Sequence, residues 1–151
     1  MKYLAFLLVV VACSTANAQS VNSSLQKKYI PAELQGLYIK MPVEELRKAR
    51  PKAVMPSDQF SLDIKEQINS ASVKEITCQF APGDSMVYEF IIEYKTRAKA
   101  LAIAKQLYKA PNFVNDRFPV RWKFKLNDGL TLVIWVWQNK ICIMDAKEME
   151  L

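Results

Sequence analysis

The chain has 151 residues, 51% of them hydrophobic, with a formal net charge of +6 and no histidine. That length and apolar content allow one domain with an ample core. The missing histidine removes histidine-dependent triads, histidine metal ligands and the commonest general base, and three glycines are too few for a phosphate-cradling loop of known pattern.

Met1-Lys2, the apolar run from Tyr3 to Ala12 and the small-residue site Ala16-Asn17-Ala18 read as a signal peptide over residues 1–18. The apolar run is too short to span a bilayer. The same stretch carries a second reading. Val10-Val11-Ala12-Cys13 resembles a bacterial lipobox, in which Cys13 is acylated and residues 14–24, rich in Ser, Asn, Gln and Ala, act as a tether. The first reading implies a periplasmic or secreted protein, the second an outer-membrane lipoprotein. Residues 19–38 are expected to be a flexible N-terminal segment, 39–146 a single α+β domain, and 147–151 a charged tail.

From Met41 to Pro51 the pattern is helical. Pro42 suits the start, Glu44 and Glu45 the positive first turn, Arg47 and Lys48 the last turn, and Pro51 the stop, with Val43, Leu46 and Ala49 or Arg50 as the inward edge. Three strands follow. Phe60, Leu62 and Ile64 alternate with polar residues, and Ile76, Cys78 and Phe80 oppose Glu75, Thr77 and Gln79. After the Ala81 to Asp84 turn, Tyr88, Phe90, Ile92 and Tyr94 point inward while Val87, Glu89, Ile91 and Glu93 point outward. The period then changes. Thr96 can cap an amphipathic helix with Ala100, Ile103, Ala104 and Leu107 on its apolar stripe, ended by Pro111. Trp122, Phe124 and Leu126 next alternate with Arg121, Lys123 and Lys125.

The most apolar mature stretch closes the chain. Asn127-Asp128-Gly129 is a turn signal, Leu130 to Trp137 a strand apolar on both parities, and Gln138-Asn139-Lys140 a turn into Ile141 to Met144. Such a strand is central and covered, or coverable, on both faces. Leu130, Leu132, Ile134 and Val136 form one face; Val133, Trp135 and Trp137 form the other.

The order is helix, three strands, helix, three strands. The fold class expected is α+β, two helix-plus-three-strand units forming one antiparallel sheet with the helices packed on one face. Ile39-Lys40-Met41-Pro42-Val43-Glu44-Glu45-Leu46-Arg47-Lys48 resembles the helix entry of BamE-like outer-membrane assembly lipoproteins, and two such units joined resemble the fold of β-lactamase-inhibitor proteins. The BamE-like pattern usually carries Gly where this chain has Lys40, and Gly-x-Pro after the second helix where this chain has Lys109-Ala110-Pro111. The resemblance spans roughly residues 39–146 and concerns fold, which does not carry function.

Site chemistry narrows the functional classes. Glu89 and Glu93, the most regular carboxylate pair, stand about 13 Å apart at ~3.3 Å per strand residue, beyond the roughly 5 to 9.5 Å that glycosidases use. Neither a metal site nor a cofactor is implied. Arg121, Lys123 and Lys125 interleave with aromatics as single-strand binders do, but these aromatics point to the opposite face, so nucleic acid is not the partner implied. The three basic residues instead suit an anionic surface such as lipid headgroups, acidic polysaccharide or an acidic protein patch. Two classes remain. One is a non-enzymatic envelope module binding an unidentified envelope protein through Val133, Trp135, Trp137, Val87 and Ile91. The other is a membrane-anchored assembly lipoprotein, acylated at Cys13, that contacts anionic lipid. If the helices lie on the other side of the sheet, both tryptophans are core.

Cys78 and Cys142 remain once the leader is set aside. An even number in an oxidising compartment points to a disulfide between them; the alternative is two buried free thiols.

Overall fold

The computed structural model describes residues 24–55, 62–81, 83, 85–115 and 118–149. The leader, Cys13 and Phe60 lie outside them. Among the described residues seven strands form one antiparallel sheet in the order β1-β2-β3-β7-β6-β5-β4. They are β1 (Asp63–Gln67), β2 (Val73–Phe80), β3 (Val87–Tyr94), β4 (Phe113–Asn115), β5 (Phe118–Lys125), β6 (Thr131–Trp137) and β7 (Lys140–Asp145). The expectation of six strands missed the three-residue edge strand β4.

Two helices pack on one face. In α1 (Val43–Ala49), Pro42 takes the N-cap, the acidic residues fill the first turn, and Val43 and Leu46 are buried, whereas Ala49 is exposed and Arg50 half-buried, so the inward edge ends at Leu46. In α2 (Arg97–Tyr108) the Thr96 side chain accepts the Lys99 N–H at 3.2 Å, which satisfies one otherwise orphaned helix donor. These helices join Ile64, Ile76, Cys78, Phe90, Ile92, Trp122, Leu132, Ile134, Ile141 and Ile143 in a single core cluster. The stripe of α2 is rotated from the expected one. Ala100, Ala104 and Tyr108 face inward while Leu107 is 37% exposed. Tyr108 decides the rotation, because its ring packs 5.2 Å from Trp122 and its hydroxyl donates to the Tyr29 carbonyl at 2.8 Å.

Residues 24–38 are not the flexible segment expected. Leu34, Leu37 and Tyr38 are buried in the core, and the amide of buried Gln26 pairs with the backbone of Ile39, accepting its N–H at 2.7 Å and donating to its carbonyl at 3.1 Å. That pairing satisfies a buried amide and a buried peptide together, which is why a polar residue is tolerated there.

Parity in the sheet fails where the ladder is irregular. A register shift between Gln79 and Phe80 sets Phe80 opposite Val87, so Val87 enters the core, and the Tyr88 hydroxyl donates to Gln79 at 3.0 Å. The outward Val87 and inward Tyr88 of the sequence reading are therefore corrected. Of the described members of the expected inward set, Ile64 in β1 is a core residue, while Leu62 precedes the strand and is exposed.

The disulfide is also corrected. Cys78 and Cys142 are free, buried thiols. Cys78 pairs with Phe90 and Cys142 with Ile91, so β3 lies between them and consecutive pleats send them to opposite faces. Two strand spacings, roughly 9.5 Å, exceed the ~5.5 to 6 Å that a disulfide spans between Cα atoms. Burial pushes each thiol up to about 12.

Candidate functional site on the second face of the sheet

The face opposite the helices is built by register. One row across it runs Lys65, Thr77, Ile91, Cys142, Trp135, Arg121; the next in one direction runs Gln79, Glu89, Met144, Val133, Lys123, and in the other Glu75, Glu93, Lys140, Trp137. Val133, Trp135, Cys142 and Ala146 form a second, smaller cluster, with Ile91 and Met144 half-buried against it. The strand β6 is thus apolar on both parities because both of its faces are packed.

The two tryptophans expected to share one environment part company. Trp135 is 8% exposed and belongs to the cluster, whereas Trp137, one pleat further along, is 47% exposed. The Lys140 ammonium lies 5.7 Å from the Trp137 ring centroid, a cation–π contact. Lys140 also reaches Glu93 at 3.6 Å, and Lys74 reaches the same carboxylate at 2.7 Å. The hydrogen bond from Lys74 leads the effects that hold the Glu93 carboxyl below its ordinary range. The exposed end of the face is therefore an aromatic ring set in a short cation–anion–cation row.

The buried end differs. Glu89, expected on a solvated strand face, is 5% exposed, and burial raises its carboxyl to about 7. Its cross-strand neighbours are Gln79 and Met144, neither a cation. No single residue in the sequence marks this; it follows from which strands flank β3. The i, i+4 carboxylates Glu89 and Glu93 are thus pushed in opposite directions, yet their ~13 Å separation prevents them from flanking one scissile bond.

The basic row is divided as well. Lys123 and Lys125 are exposed, but Arg121 is buried beside Trp135, and burial lowers its pKa. Arg121 is therefore removed from the expected anionic-surface set. Of the expected partner-binding residues, the structure brings Val133, Trp135, Trp137 and Ile91 onto one face and leaves Val87 in the core. A separate groove of about 590 Å³ lies by the α2 end, lined by Ile30, Pro31, Leu37 and Leu107, with Lys27 its charged residue. Among its described lining residues there is no pair of groups suited to proton transfer.

Comparison of the chain with protein-family models, with curated proteins and with solved structures returns no match.

Proposed function

We propose that the protein is a non-enzymatic, exported interaction module of the bacterial cell envelope, binding a protein partner through the second sheet face with Trp137 as its anchor. The observation that carries this reading is the contrast along β6, where Trp135 is sealed and Trp137 stands 47% exposed under Lys140. A rigid aromatic ring beside an apolar cluster and flanked by charge has the composition of an interface hot spot, typically ~2 kcal/mol or more on truncation. Ile91 and Met144, half-buried on the same face, extend the contact. No cofactor is invoked. Crosslinking and pull-down of the mature domain from its own envelope tests this reading. A partner retained by the native protein and lost from Trp137→Ala at unchanged melting temperature supports it; a partner held equally by both contradicts it.

One observation favours a second reading, that of a BamE-like envelope assembly lipoprotein anchored through Cys13. Lys40 and Lys109, at the two positions where the BamE-like pattern usually carries Gly, have φ of 69° and 58°. Those left-handed values are the ones for which glycine is the default residue. The meeting of β1-β2-β3 with β5-β6-β7 through β3 and β7 also supports two tandem helix-plus-three-strand units. On this reading Lys123 and Lys125 face anionic lipid. Labelling with a radioactive fatty acid separates the two readings: label lost on Cys13→Ser requires the lipoprotein, and an unlabelled protein contradicts it.

A further inference from the structure

The second face is closed at one end by a very short element. After Asp145 the chain enters a 3-10 turn, Ala146–Met149, which lies against β6 and β7. Among the described side chains its apolar hold on the sheet is Ala146, packed with Val133, Trp135 and Cys142. Ion pairs add to that hold. The Lys40 ammonium lies 3.3 Å from Asp145 and 3.1 Å from Glu148, and the Asp145 carboxylate also accepts the Lys147 N–H at 3.1 Å.

Lys40 is placed for this at some cost. Its φ of 69° is strained for a side-chain-bearing residue, while its N–H donates to the Val87 carbonyl at 2.6 Å and so fixes it against β3. Burial opposes the charged ammonium, but its bonds to Glu148 and Asp145 outweigh that and raise its pKa. The ion pair joins residues 108 apart in sequence.

We propose that Lys40 is a latch: it holds the C-terminal 3-10 turn over the end of the Val133–Trp135 cluster, and its release frees the turn and opens the cluster without unfolding the sheet. A single 3-10 turn has too few hydrogen bonds to persist alone, and partly exposed ion pairs are weak and salt-screened. The strands beneath are paired on both sides and belong to a far more stable unit. The use of the opened cluster rests on the interface reading; the opening itself does not.

Hydrogen exchange of the full chain, without any partner, tests the latch. Lys40→Gly deletes the ammonium and accepts φ of 69° without strain. The expected result is exchange at Lys147 and Glu148 faster by about tenfold or more, with Ile134 and Ile143 unchanged, as for local rather than global opening. In a Trp137→Phe, Trp122→Phe background, in which Trp135 is the one tryptophan left, acrylamide quenching rises in the same variant. Glu148→Gln, which keeps the Asp145 limb, speeds the same amides by less. Unchanged exchange at Lys147 in Lys40→Gly overturns the proposal, as does an acceleration shared equally by Ile134 and Ile143. Because no partner is present, a latch that opens stands even if no protein binds the face.

Discussion

The two faces of the sheet are built from the same seven strands and differ in what the chain lays over them. The helical face is closed by α1, α2 and residues 24–41, and it buries Trp122, Phe90 and Ile134 completely. Among the described residues the second face is closed only in part, over Val133, Trp135 and Cys142, and ends in the exposed ring of Trp137. It also keeps a carboxyl, Glu89, that burial has pushed up to about 7 with no cation across the ladder from it. The helical face carries the larger core. The other retains features that cost stability, and such features are where function is sought.

Tryptophan truncation should separate the two faces most visibly. Trp122→Ala should destabilise by about 4 kcal/mol, within the ~3 to 5 kcal/mol range for emptying a core aromatic site, read by denaturant unfolding. Trp135→Ala should cost about 3 kcal/mol, since its cluster is smaller. Trp137→Ala should stay within ~0.5 kcal/mol of the native protein, as a surface substitution does. Equal losses at positions 135 and 137 would erase the distinction drawn along β6.

Glu89 sharpens the contrast through pH. Its folded pKa of about 7 lies above the ordinary 4.5, so the native state holds this proton more tightly than the unfolded state. Below pH ~4.5 both states are protonated and Glu89 imposes no penalty; stability then falls as pH rises toward 7 and levels off above it. From the shift between 4.5 and about 7 the loss is roughly 3 kcal/mol at 1.36 kcal/mol per unit. Glu89→Gln should recover most of that at pH 8 and flatten the curve between pH 5 and pH 8. A native protein equally stable at both ends of that interval would show that Glu89 is solvated.

The cysteines give the smallest effect. Both thiols should resist alkylation in the native, unreduced protein and react fully once it is denatured without reductant, as buried thiols of raised pKa do. Intact-mass measurement showing no alkylation after denaturation would restore a disulfide.

Much of the helical face was legible in the sequence because it follows periods. The alternation of Trp122, Phe124 and Leu126, the Thr96 cap and the Val43 and Leu46 edge each depend on neighbours a few residues away. What escaped depends on long-range register. Val87 changed faces because of a bulge, Cys78 and Cys142 were separated by an intervening strand, and Leu107 yielded its place to Tyr108 because Trp122 lies opposite. Glu89 and Arg121 looked like solvated strand positions, since their burial is set by residues distant in sequence. The tryptophan face was found by pattern, but its division into sealed and open halves was not.

The most direct test of the interface places a photoreactive phenylalanine analogue at position 137 and, separately, at position 107, where an exposed apolar side chain lines the groove by the α2 end. Both variants are expressed in the native envelope and irradiated. A discrete adduct is expected from position 137 and none of the same mass from position 107. No adduct at 137, or the same adduct from both positions, would contradict it.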